Sequence, residues 1–255
     1  MNCPSGAAWR TLPGKIKSGS IVDDDQRPVD GNLWGQWVRA GNDRWEVVRR
    51  SWSVFVRNTT ELIYLLKIPA TDIAASLQLM GDDREATGMF WEELDQRLHN
   101  QLASAVSLVD HTRRLLEYYE SDCPTMVAAY RERNATVANM KEAAFLRDLR
   151  NYLLHYGAPP FVQSLSLGPP PGAGATGHSL KLSANHLLKW DGWKKQSRLY
   201  LSSFGDRDGP VLGQDVAAYA KAMSQLFTWL FSQRVPINND PAVLARFRLA
   251  DPEHQ

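Results

Sequence analysis

Arg150, Asn151 and His155 lie in the run Phe145-Leu-Arg-Asp-Leu-Arg-Asn-Tyr-Leu-Leu-His-Tyr156, and each brings a different capability to an anionic substrate. An imidazole titrates near neutrality, so it can both take and release a proton. A guanidinium is permanently charged and offers a fork of donors suited to a phosphodiester whose negative charge grows in a transition state. The amide of Asn151 can orient a phosphate or the histidine. On a helical wheel at about 100° per residue, Phe145, Leu146, Leu149, Tyr152, Leu153 and Tyr156 share one half. Arg147, Asp148, Arg150, Asn151 and His155 share the other, with Leu154 among them. Asn151 and His155, four residues apart, stack along one edge, while Arg150 lies further round and needs its long side chain to converge with them. A lone monomer gains nothing from exposing Leu154 beside a guanidinium, so this residue marks the expected dimer contact.

The elements that must hold this strip are legible as amphipathic patterns. From Asn42-Asp43, Trp45, Val48, Trp52, Phe55, Thr59, Leu62, Ile63 and Leu66 recur at three and four residues, which predicts a helix ended before Pro69. A second helix is expected from about residue 83 to 120, its stripe formed by Leu94, Leu98, Leu102, Ala105, Leu108, Val109, Thr112, Leu115 and Tyr119. After a turn at Asp122-Cys123-Pro124, a short helix to about Asn134 leads into a strong one from about Thr136 to Tyr156, stopped by Gly157 and Pro159. Alternation in Phe161–Leu167 and His178–Ser183, separated by GPPPGAGATG, predicts a β-hairpin with a long connection. Helix returns over about 184–204 and 212–234.

Arg, then a polar residue such as Asn, then His after four to six intervening residues, on the last long helix of a bundle, resembles the signature of HEPN domains. RNYLLH has the shortest spacing of that signature. The resemblance covers about residues 43–156 and implies a mainly α fold, a HEPN-like antiparallel helical bundle, here with a small β-hairpin insertion and two further C-terminal helices. The organisation expected is an irregular N-terminal arm over 1–35, the bundle over 36–158, the hairpin and C-terminal helices packed on it over 159–235, and a polar tail over 236–255. It further implies a homodimer in which two motifs face each other across one cleft that cuts RNA, with Arg150, His155 and Asn151 catalytic. His155 would take the proton of a ribose 2′-hydroxyl or give one to the leaving oxygen, so the products would be a 2′,3′-cyclic phosphate and a 5′-hydroxyl. No metal or cofactor is required. Such an endoribonuclease would act as a toxin or antiviral-defence effector, restrained by a regulatory or antitoxin partner. One departure stands out: where HEPN proteins paired with nucleotidyltransferase antitoxins carry a modified Tyr two residues after the His, this chain has Gly157. Two other readings use the same residues, a non-catalytic HEPN-like module that binds RNA or a nucleotide, and a helical protein-interaction scaffold in which the motif is accidental.

Further RNA contacts are candidates rather than necessities. Arg113 and Arg114, in Asp110-His-Thr-Arg-Arg114, can line a cleft or form a solvated helix face, and Arg147 adds charge to the motif helix. Lys189-Trp-Asp-Gly-Trp193-Lys194-Lys195 combines aromatics with lysines, a mixture that stacks bases and tracks phosphates, or else core tryptophans with a lysine rim. Lys189, Trp193 and Lys194 are the accessory candidates from this stretch.

Composition bounds these readings. A net charge of +1 supplies no global attraction to nucleic acid, so contact must be local. Two cysteines, Cys3 and Cys123, cannot build a disulfide framework and no Cys/His cluster has zinc spacing. There is no Gly-rich phosphate loop, no Ser or Cys nucleophile elbow, and no carboxylate cluster fit for two metals. The start, MNCPSGAAWRTLPGK, lacks the apolar run of a secretory signal and no segment is apolar enough to cross a bilayer, so the expectation is a cytoplasmic protein with no membrane partner.

Overall fold

The computed structural model describes residues 31–81, 84–165, 178–205 and 208–234. In chain order these form α1 (Gly31–Thr71), α2 (Ile73–Met80), α3 (Arg84–Tyr119), α4 (Pro124–Ala138), α5 (Lys141–His155), β1 (Phe161–Leu165), β2 (His178–Leu182), α6 (Ala184–Leu187), α7 (Lys195–Ser202) and α8 (Leu212–Ser232). The fold is mainly α, and the described strands are one antiparallel hairpin with Phe161 opposite Leu182 and Gln163 opposite Leu180. The chain divides into two compact units, Gly41–Arg234 and a second formed by Met1–Ala40 with Val235–Gln255. Of the second, residues 31–40 are described, a stretch of helix in which Trp34 and Trp37 stack at 5.2 Å. The arm before residue 31, the hairpin connection and the polar tail over 236–255 lie outside the described residues.

Within Gly41–Arg234 the apolar stripes do what their periods demand. Trp45, Val48, Phe55, Leu62 and Leu66 are buried along α1, and Leu94, Leu98, Leu102, Leu108 and Leu115 along α3. Phe145, Leu149 and Tyr152 of α5 join one cluster with Leu62 and Leu94, and Leu180, Leu187, Leu201 and Val216 from beyond residue 158 enter the same cluster. The hairpin alternates as expected, with Leu180 and Leu182 buried and Val162 exposed. Where two backbones come closest, side chains are excluded: a Cβ on Gly209 would lie 1.7 Å from the Leu182 carbonyl oxygen. There Leu182 donates its amide to the Pro210 carbonyl at 2.9 Å, so the 208–210 segment runs beside β2.

Four boundaries differ from the sequence expectation. Helix α1 begins at Gly31, inside the expected arm, and passes through Pro69 to Thr71. Proline lacks a donor and its ring crowds the preceding turn, yet the ladder resumes beyond it, with the Asp72 amide on the Ile68 carbonyl at 2.9 Å. Asp72 then caps the unanticipated α2, accepting from the Ala75 amide at 3.1 Å. The break expected between about Asn134 and Thr136 falls instead at Asn139–Met140, where Met140 is extended (ψ 137°) between α4 and α5. The freed Asn139 carbonyl accepts from Gln196 Nε2 at 2.8 Å. The helix expected over 184–204 is interrupted by Trp190–Lys194. Gly192 leaves room there for the Trp190 ring, which a Cβ would meet at 2.2 Å. Val109, assigned to the α3 stripe, is exposed.

One buried carboxylate gives the fold a pH signature. Asp215, in the first turn of α8, is 5% exposed and accepts from the Tyr200 hydroxyl at 2.8 Å through Oδ1, while Oδ2 has no partner. Burial pushes its carboxyl up from 3.8 to about 6; the Tyr200 bond opposes this, the Glu142 charge adds to it, and Lys141 opposes it. A folded-state value above the unfolded one means the native protein holds this proton more tightly. The associated stability is therefore complete below about pH 4 and is lost as pH rises through about 6. Asp215→Asn keeps an acceptor for Tyr200 and removes the titration. Relative to that variant, wild type should lose up to about 3 kcal/mol of unfolding free energy between pH 4 and 7 in denaturant titrations. Parallel pH profiles for the two proteins would refute this assignment.

Candidate functional site

The motif occupies the last half of α5, and its rear is held by an aromatic cluster. Tyr152 stacks on Trp193 with centroids 5.8 Å apart, Phe145 stacks on the same indole at 5.8 Å, and Trp190 meets Tyr152 edge-on at 5.7 Å. Trp193 also donates from Nε1 to the Leu187 carbonyl at 2.6 Å, which fixes the end of α6 to α5. It is 4% exposed, so this candidate for base stacking is a core residue with no face open to a base. Both rings of the Trp190–Trp193 pair serve to seat the motif helix.

Asp148 is the second correction. The wheel assigns it to the outward half, yet it is 0% exposed. Its Oδ2 accepts from the Ser197 hydroxyl at 2.6 Å and from the Lys194 amide at 3.2 Å, while Arg147 Nε lies 3.6 Å from Oδ1. Lys194 is the N-cap of α7 and contributes no side-chain cap of its own. A carboxylate from α5 thus meets the donors and the positive end of another helix, where anions are stabilised.

The remaining polar groups of α5 are accessible. His155 is exposed at the final residue of the helix, Leu154 is 51% exposed, Arg147 is exposed, and Arg150 and Asn151 are half-buried. The exposed ring of Tyr156 leans on Tyr152 at 5.0 Å. Among the described residues, no side-chain hydrogen bond or ion pair joins Arg150, Asn151 and His155 to one another, and Arg150 has no ion pair. The three therefore share one helix and one solvent-facing side without forming a closed constellation inside a protomer.

Arg150 instead borders a cleft of about 380 Å³ between α3, α4, α5 and α8, with Arg147, Asp110 and Asn134 also on its lining and Leu102, Val137, Leu146 and Met223 among its apolar walls. No sequence motif announces this cleft, because it forms where the consecutive helices α3, α4 and α5 meet α8, which is remote in sequence. Burial pushes the Tyr219 phenol up to about 12, opposed by the neighbouring charge of Arg147. Tyr219 and Arg147 thus face the same space.

The accessory candidates fare unequally. Arg113 is paired within its own helix, 3.6 Å from Asp110 and 3.8 Å from Glu117, in an exposed position where such pairs are weak. Arg114, Lys189 and Lys194 are exposed. His111 has Nδ1 2.6 Å from Ser51 Oγ and links α3 to α1. Among the described residues no three His, Cys, Asp or Glu gather as a metal-ligand set, and no helix is long and apolar enough to cross a membrane.

The Asp148 contacts carry a consequence for stability. Asp148→Ala strips two bonds to a buried charge and leaves the start of α7 unsatisfied, so it should cost about 2–4 kcal/mol in denaturant unfolding. Asp148→Asn should fall between that variant and wild type; a neutral Asp148→Ala would show that the carboxylate does not hold α5 to α7.

Comparison with known protein families, with curated proteins and with solved structures finds no match to this chain.

Proposed function

We propose that the protein is a metal-independent endoribonuclease of the HEPN type, cutting RNA at a cleft formed by two copies of α5. The observation that carries this reading is the exposure of His155, Leu154 and Arg147 with half-buried Arg150 and Asn151 on a helix whose opposite face is fixed by core contacts. Burial of His155 in the interior would instead have favoured an accidental motif and the scaffold reading.

In the proposed reaction, the His155 imidazole takes the proton of a ribose 2′-hydroxyl, and the resulting oxygen attacks the adjacent phosphorus. The bond to the 5′-oxygen breaks, and that oxygen receives a proton from the His155 of the facing copy. A cyclic 2′,3′-phosphate and a 5′-hydroxyl result, with one proton taken and one given. Arg150 stabilises the charge that develops on the non-bridging oxygens, and Asn151 orients the phosphate or the imidazole. Leu154, at the centre of the exposed strip, is the apolar contact between copies. Arg147, Arg114, Lys189 and Lys194 extend the positive surface to the flanking strand. A nuclease of this kind requires restraint in its own cell, and a protein partner or a closed cleft supplies it in the toxin or defence-effector role.

A specific observation also favours the non-catalytic module as the second reading: Arg150 and Arg147 line a cleft whose lining does not include His155. Binding without cleavage, retained in His155→Ala and lost in Arg150→Ala, is the mark of that alternative.

The deciding experiment incubates wild type and His155→Ala with total RNA in EDTA and identifies the ends produced. Wild type should generate cyclic-phosphate ends at a rate at least about a hundredfold above His155→Ala, with a loss of similar size in Arg150→Ala. Equal cutting by wild type and His155→Ala, or ends bearing 3′-hydroxyl and 5′-phosphate, would exclude the mechanism.

A further inference from the structure

The cleft beside Arg150 has a chemistry of its own. Its floor is set by Leu102, Leu146 and Met223, and its accessible lining is predominantly apolar, yet two guanidiniums, Arg147 and Arg150, stand on it three residues apart on α5. Arg147 lies 3.6 Å from Asp148 Oδ1, a buried oxygen with no hydrogen-bond partner of its own, whereas Arg150 has no ion pair among the described residues. The one carboxylate on the lining, Asp110, lies 3.6 Å from Arg113. A half-buried guanidinium against apolar walls is poorly served by water, so an anion seated there gains more than it would on an open surface. The apolar walls reward a hydrocarbon body and the arginine pair rewards a negative head.

We infer that this cleft binds a single-chain anionic amphiphile, its head on Arg147 and Arg150 and its unbranched tail between α3, α4 and α8. A volume of about 380 Å³ admits one medium-length chain, not a folded peptide or a bilayer surface. Carboxylate and phosphate heads share the required charge and fork-accepting geometry, so they are separate arms of the test. The inference uses Arg150 but does not rest on the ribonuclease reading: it concerns a cleft present in one chain and is measured without RNA.

The test is calorimetric titration of the full chain with hexanoate, octanoate, decanoate and decyl phosphate below their micelle concentrations, with decanol as the uncharged control. Affinity should rise about three- to fourfold per methylene, and decanoate or decyl phosphate should bind at least about tenfold more tightly than decanol. Arg150→Gln should weaken binding of the anions about tenfold or more and leave decanol unchanged. Ala138→Trp, at an exposed position on the cleft, should block all of them, with circular dichroism confirming that both variants fold. Arg147→Gln supplies an independent head-group variant should either fail to fold. The better of the two heads identifies the source. Absence of binding by wild type, binding indifferent to Arg150→Gln and Arg147→Gln, or binding that survives Ala138→Trp would each overturn the assignment.

Discussion

A carboxylate removed from water must find donors, and the one on Asp148 finds them on a different helix. Because its Oδ2 is committed to the Ser197 hydroxyl and the Lys194 amide, α5 can take only a narrow range of rotations about its own axis relative to α7. That restriction decides which residues of α5 are buried and which are left for solvent. The stacking of Phe145 and Tyr152 on Trp193 acts in the same direction, and the Trp193 bond to Leu187 ties the arrangement to the end of α6. Polar capping and aromatic packing are thus two locks on one helix. The polar lock is specific in direction, and the aromatic one adds buried apolar surface.

With one side of α5 fixed, its other side is divided between two environments. Arg150 and Arg147 lean toward the cleft against α3, α4 and α8, while His155 stands free at the helix end. Local rigidity at the back of a helix is what allows a polar strip on its front to be held in a set orientation. Arg150 and His155 stay apart for a separate reason, since both lie on α5 and their separation is set by the helix itself.

Much of the architecture was readable because amphipathic periods report directly on burial: the stripes Trp45–Leu66 and Leu94–Leu115 are core, and the alternation at Leu180 and Leu182 is a half-buried strand. What escaped the sequence was decided by partners far along the chain. Asp148 looks like a solvent-facing residue on a wheel, since its donors are 46 and 49 residues away. Trp193 between lysines has the same composition whether it stacks a base or a tyrosine. The break expected near Asn134–Thr136 lies at Asn139–Met140, where Gln196 from another helix satisfies the Asn139 carbonyl. On the strip, His155 is exposed at the helix end as its position on the wheel suggests, while Arg150 and Asn151 are half-buried. The cleft was not legible, because it is closed by α8, which packs on the successive helices α3, α4 and α5 from far along the chain.

Angle and rise set a condition on any chemistry at this strip. From Arg150 to His155 is five residues, about 7.5 Å along the axis and about 140° around it at helical spacing. Asn151 and Leu154 fall within that arc. Two side chains so divergent do not easily grip opposite sides of a single phosphate from one helix, even granting the reach of an arginine. A second copy related by a two-fold axis through the neighbourhood of Leu154 changes the arithmetic, since the axis turns the partner's His155 toward the first copy's Arg150. The apolar residue that a monomer has no reason to expose lies within the arc that such an axis would bisect. In a catalytic reading, therefore, association is part of the active site's geometry; in a binding reading, Arg150 and the cleft suffice within one chain.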